Sequence, residues 1–206
     1  MGRCQSNRWL AAACATAALA ACGTVPIEPP AEEAPLFQRI DARVGTSYAS
    51  AARLAYVTNP LMRIEVGRSS VARFEQAFGA MFTETVSLPD WPPWRHEAPK
   101  VDGVIELERA DAELQLGDDM KRPDVASIAY RVCLYERDGT AIRCWTSSAH
   151  SSHQRRVGEC LDLRQCLLPQ MEIAVREAIA VFLVDAENDP ALRRWAARLD
   201  EGRRKP

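Results

Sequence analysis

Apolar and polar residues alternate at Met62, Arg63, Ile64, Glu65 and Val66, which is the two-residue period of a half-buried strand over 61–66. Gly67 closes that run. Ser69 or Ser70 is placed to cap a helix, although no glutamate completes a capping box. Val71, Phe74, Phe78, Met81 and Val86 then recur near one helical face, with Arg73, Glu75, Gln76 and Glu84 elsewhere. This aromatic stripe reads as core packing. Farther along, Ile105 and Leu107 occupy odd positions while Ala110, Ala112, Leu114 and Leu116 occupy even ones. The change of parity near Glu108-Arg109 predicts a bulge or bend within a strand. Residues 125–135 and 140–146 are both strand-like, and Asp138-Gly139 between them predicts a hairpin with a two-residue loop.

Leu168-Pro169 opens a helix, since proline is tolerated at a first helical position. Its apolar face is Met171, Val175, Ala178, Ile179 and Phe182, and Glu172/Arg176 is a favourable i,i+4 pair. Asp189-Pro190 starts another helix with Asp189 as its cap and Leu192, Trp195, Ala196 and Leu199 along one side. Residues 40–57 have a mixed pattern that predicts one more strand. The expected fold is therefore α+β, a mainly antiparallel sheet with helices on one face. Its core is β-α-β-β-β-α, followed by a short C-terminal helix.

The chain divides into segments 1–21, 22–36, 37–186 and 187–206. Arg3 and Arg8 precede an alanine-rich apolar run from Leu10 to Ala21, a secretory signal too short to span a bilayer. The run ends Leu19-Ala20-Ala21-Cys22, which resembles the lipobox of bacterial lipoproteins. That resemblance implies cleavage before Cys22, a diacylglyceryl thioether on its sulfur and an acylated amino group, so that Cys22 joins the protein to membrane lipid. Several acyl chains, at about 0.8 kcal/mol per buried methylene, hold firmly where one exchanges. Gly23, standing where an aspartate would retain such a protein at the inner membrane, implies an outer-membrane location facing the periplasm. Residues 23–35 hold four prolines and three glutamates and read as an extended tether.

Lipobox, proline-rich tether and a single α+β domain together are similar in organisation to lipopolysaccharide-assembly lipoproteins and to the auxiliary lipoproteins of ABC-type lipid transporters. The stretch 67–82, GRSSVARFEQAFGAMF, resembles the strand-then-helix passage of such proteins. The resemblance implies an accessory or assembly role in an envelope transport or secretion complex. The only residue it carries over is Cys22.

Of seven cysteines, Cys4 and Cys14 leave with the signal and Cys22 is lipidated. Cys133, Cys144, Cys160 and Cys166 remain, an even number that in an exported protein reads as two disulfides. The hairpin register places Cys133 opposite Cys144, at a hydrogen-bonded position where cross-strand disulfides are less usual. Cys160 and Cys166 would then close the short loop between them. A rival reading groups His150, His153, Cys160 and Cys166 as a zinc site, but the spacing fits no usual structural pattern.

The segment 88–99 carries four prolines and sets Trp91 and Trp94 on a stiff loop, either facing a partner or folded back onto the domain. With 26 basic and 28 acidic side chains, net −2, the chain lacks the basic footprint of a nucleic-acid binder. Arg203, Arg204 and Lys205 read as a solvated, frayed tail. No G-x-S-x-G, H-E-x-x-H, S-x-x-K or phosphate loop occurs, so no catalytic residue, cofactor or metal is expected. The expected function is a non-catalytic accessory lipoprotein. The alternatives are a module holding a small hydrophobic ligand or lipid between helix and sheet, and a hydrolase without a familiar motif.

Overall fold

The computed structural model describes residues 24–26, 38–59, 62–88, 100–117, 122–154 and 163–204. Among the described residues there are eight strands: β1 Thr24–Pro26, β2 Ile40–Tyr48, β3 Tyr56–Asn59, β4 Met62–Glu65, β5 Phe82–Ser87, β6 Gly103–Gln115, β7 Asp124–Tyr135 and β8 Ala141–His153. The helices are α1 Ser50–Arg53, α2 Gly67–Met81, α3 Leu163–Asn188 and α4 Pro190–Arg204. A five-stranded sheet runs in the order β5-β2-β6-β7-β8, and a three-stranded one in the order β1-β4-β3. The α+β class stands. The period-2 pattern of β6, β7 and β8 gives an antiparallel half, while β2 and β5 complete a parallel half that alternation alone does not predict.

Helices line one face of the large sheet. Phe74 and Phe78 of α2, Phe182 of α3, and Tyr130 and Trp145 of the sheet all lie at 5% exposure or less. Phe74 sits 5.0 Å from the Tyr130 ring and 5.6 Å from Phe182, and Trp145 sits 5.8 Å from Phe182. The space between helices and sheet is thus filled by interlocking rings.

Several boundaries differ from those the sequence predicts. Neither Ser69 nor Ser70 caps α2. The helix begins at Gly67, its cap residue Val66 makes no side-chain bond, and both serines are buried. Val66 and Gly67 donate their N–H groups to the Ala55 carbonyl, and a Cβ on Gly67 would lie 2.2 Å from the Arg53 carbonyl oxygen. Only glycine fits that junction. Ser70 instead bonds the Val66 carbonyl at 2.7 Å and the Tyr130 hydroxyl at 2.7 Å. Val86 belongs to β5, which follows α2 without a loop because Gly45 of β2 pairs with Val86 in parallel. Residues 40–57 form β2, α1 and the start of β3 rather than one strand.

Pro169 lies inside α3, which starts at Leu163. The proline forfeits one backbone bond. Fully buried Leu167 and the disulfide-bonded Cys166 hold the turn upstream of it. Thr24–Pro26, within the expected tether, pairs in parallel with β4 as Thr24↔Arg63 and Pro26↔Glu65. An extended segment close to an unpaired strand edge finds backbone partners there.

Arg203, expected in a frayed tail, is held to the fold. Arg203 closes α4 and donates to the Asp41 carboxylate at 2.7 Å and the Asp102 carboxylate at 2.9 Å. Asp102 also accepts the Arg43 N–H at 2.8 Å. Lys205 lies outside the described residues. Asp189 caps α4 as expected, accepting the Ala191 N–H at 2.7 Å, and it also takes the Trp145 indole N–H at 3.1 Å and pairs with Arg143 at 2.9 Å.

Candidate functional site

The face of the sheet away from the helices carries most of the chemistry among the described residues. Its geometry begins with the hairpin. The β7–β8 loop has three residues, not two: Glu136 donates to the Thr140 carbonyl at 2.8 Å and Gly139 donates to Glu136 at 3.0 Å. Gly139 takes φ 88°, the left-handed conformation such a loop requires. The Asp138 carboxylate accepts the Thr140 N–H at 2.9 Å, which holds its pKa below the usual range. Leu134 pairs with Arg143 and Tyr135 with Ala141, so Ile142 is an extra residue in β8. Longer loop and bulge offset each other, and Cys133 still faces Cys144.

Those two cysteines form a disulfide with a Cα–Cα distance of 4.1 Å. That spacing belongs to a non-hydrogen-bonded pair and corrects the hydrogen-bonded position expected from a two-residue loop. Cys166 is likewise disulfide-bonded, and Cys160 lies outside the described residues. Bonded sulfurs are not thiolate ligands, which removes Cys166 from the His150/His153 zinc reading. The His150 ring sits exposed on β8.

A second bulge organises the carboxylates. Leu107 pairs with Val132 and Arg109 with Arg131, leaving Glu108 as the extra residue in β6, where the parity changes in sequence. A bulge re-aims its side chain. Glu108 accepts the Arg131 Nε–H at 2.6 Å and the Tyr135 hydroxyl. Glu106 stands opposite Cys133 on the same face and is 7% exposed. Burial, and then the charge of Glu108, push its pKa up to about 7. Burial also raises the Tyr135 hydroxyl, helped by its bond to Glu108. A carboxyl such as Glu106 can hold and release a proton near neutral pH. No free thiol serves Glu106 and Glu108 as nucleophile, since the neighbouring sulfurs are bonded to each other. Glu108, Cys133 and Cys144 form the one group of potential metal ligands among the described residues, and two of its three ligand atoms are disulfide sulfurs.

Glu106 escapes sequence reasoning because an acid between Ile105 and Leu107 looks like an ordinary solvent-facing position. The available signal is Val104. Apolar residues at both 104 and 105 mean that this end of the strand is covered on both faces.

A separate groove of about 680 Å³ lies where β2 begins, between Ile40 and the start of α4. Leu192 and Ala196 contribute apolar surface, and Arg39, Arg193 and Asp200 polar surface. Arg39 is committed to structure, donating to the carbonyls of Gly79 at 2.9 Å and Phe82 at 3.2 Å at the end of α2. Cys22, Trp91 and Trp94 lie outside the described residues. Among the described residues no helix is long and apolar enough to cross a membrane.

No family model and no curated protein sequence matches the chain. Solved structures do resemble it. A Xanthomonas campestris protein assigned to the family model DUF330 superposes with a TM-score of 0.50 at 10% identity, over 88% of this chain and 99% of that one. A minor lipoprotein from Acinetobacter baumannii aligns with a TM-score of 0.45 at 11% identity, over 73% of this chain and 93% of that one. At such identities the likeness is one of fold.

Proposed function

We propose that this is an exported, lipid-anchored envelope protein without catalytic activity, which serves as an accessory or assembly component of a membrane transport or secretion complex. The observation that carries the reading is cysteine usage. Leu19-Ala20-Ala21-Cys22 follows a basic and then an apolar segment, and the cysteines of the folded domain that are described are all engaged in disulfides. Disulfides belong to an oxidising compartment. The filled interface between helices and sheet supports a scaffold over a carrier of small hydrophobic ligands. Among the described residues the sulfurs beside the Glu106/Glu108 pair are bonded to each other, so no thiol nucleophile for a covalent hydrolase stands there. Gly23 favours outer-membrane residence, to be read by density-gradient separation of the two membranes.

Cys22→Ala should move the protein from the membrane to the soluble periplasmic fraction and abolish labelling by an alkyne fatty acid. A wild-type protein that takes no label, with a variant that still sediments with membranes, defeats the anchor. Crosslinking in intact envelopes should capture partner proteins of a membrane complex, and recovery of the uncrosslinked chain alone counts against the accessory role.

A further inference from the structure

We infer that the small sheet and helix α1 form a membrane-contacting pole, with Leu54 and Tyr56 entering the interfacial layer of the lipid that anchors the chain. The inference rests on lipidation of Cys22, and its occupant follows from where the chain is tied. Thr24 pairs with Arg63 of β4, and only Gly23 separates it from Cys22. At about 3.3 Å per extended residue, two residues of chain can carry the acylated sulfur no farther than roughly 10 Å from Thr24. The small sheet therefore stays beside the bilayer. The long proline-rich stretch follows β1 and cannot lift the small sheet away.

The surface at this pole suits a lipid headgroup layer. Leu54, the residue ending α1, is 70% exposed, and Tyr56 is 49% exposed. In β3 and β4 the buried residues Val57 and Ile64 face inward, while Tyr56, Thr58 and Arg63 face out. Arg63 lies over the Tyr56 ring, 3.7 Å from its centroid. Arg53 stands exposed beside Leu54. An aliphatic side chain, a tyrosine and two guanidinium groups form the set that settles at an anionic interface, ring and stem in the acyl boundary and charge at the phosphates. In water the same Leu54 has nothing to cover it among the described residues.

The test uses the full acylated chain in vesicles of phosphatidylethanolamine and phosphatidylglycerol, with environment-sensitive labels placed one at a time at Leu54→Cys and at Arg137→Cys. Arg137 lies in the β7–β8 loop, away from the small sheet. Bromine-bearing lipids should quench the label at 54 and leave the label at 137 bright. Leu54→Glu and Tyr56→Glu should each reduce quenching of a label at position 58 by at least about twofold, with alkyne-fatty-acid labelling and melting temperature unchanged. Equal brightness at 54 and 137 in a protein that carries its acyl chains overturns the inference. Loss of acyl labelling in the wild type instead identifies failure of the anchor itself.

Discussion

The two faces of the large sheet are built on opposite plans. The helix-covered face holds Phe74, Phe78, Phe182, Trp145 and Tyr130 in ring-to-ring contact, with one short polar relay through Ser70. The other face holds a disulfide, a bulged glutamate, a buried carboxyl and an arginine. Shape complementarity holds the first, whereas a covalent bond and directed polar contacts hold the second. Fold stability should therefore be concentrated on the inner face, and responsiveness to pH and redox conditions on the outer one.

Truncating an inner ring is the hardest blow to that contrast. Phe182→Ala should cost about 3–5 kcal/mol, because three aromatic neighbours are left facing a cavity. Thermal denaturation should show a melting temperature lower by roughly 10 °C. A fall of only a degree or two would mean that the rings tolerate repacking and that the inner face is not the main source of stability. On the outer face, replacing Cys133 and Cys144 by alanine removes a bond spanning 11 residues, and denaturant titration should register a loss of about 2–3 kcal/mol. A loss equal to that of Phe182→Ala would erase the distinction between the faces.

Arg203→Ala should cost less, about 1 kcal/mol, since its ion pairs with Asp41 and Asp102 are partly open to solvent. Amide exchange at the start of β2 is the sensitive readout, and unchanged protection there would show that the latch carries no load. Glu106→Gln is the smallest change and runs in the opposite direction. The folded protein keeps a proton on Glu106 up to about pH 7, while the unfolded chain gives it up near 4.5. Stability should fall as pH rises between those values and level off above them. The glutamine variant should flatten that slope and gain up to about 1 kcal/mol at pH 8, the solvent beside Glu108 keeping the gain modest. Identical pH profiles for both proteins would remove the titrating role from Glu106.

How much of this was legible in the sequence depended on how local the cause was. Much of β7 and β8 and the later part of β6 can be read because one face is buried and the other is not, so alternation survives there. Even the Glu108 bulge showed as a change of parity. The Cys133–Cys144 pairing emerged correctly from an incorrect loop, because the extra residue at Ile142 restored the register. The parallel strands β2 and β5 could not be read in the same way. Ala42, Val44, Thr46, Ser47 and Tyr48 are buried together, which leaves a mixed pattern with no period. The start of α3 is hidden in the sequence because Pro169 looks like an opening residue, while the burial of Leu167 that holds the upstream turn is a tertiary contact. Arg203 looked solvated because its partners, Asp41 and Asp102, lie far away along the chain.

The Arg203 latch also bears on when the domain becomes whole. Strand β2 is among the first parts of the folded unit to be synthesised, yet its sheet neighbours β5 and β6 follow dozens of residues later. The side chain that fastens its start, Arg203, stands 162 positions behind Asp41. No early fragment holds the material to close the sheet. A chain with such distant pairings folds slowly. The β2 end of the sheet is fastened only once the last helix is in place.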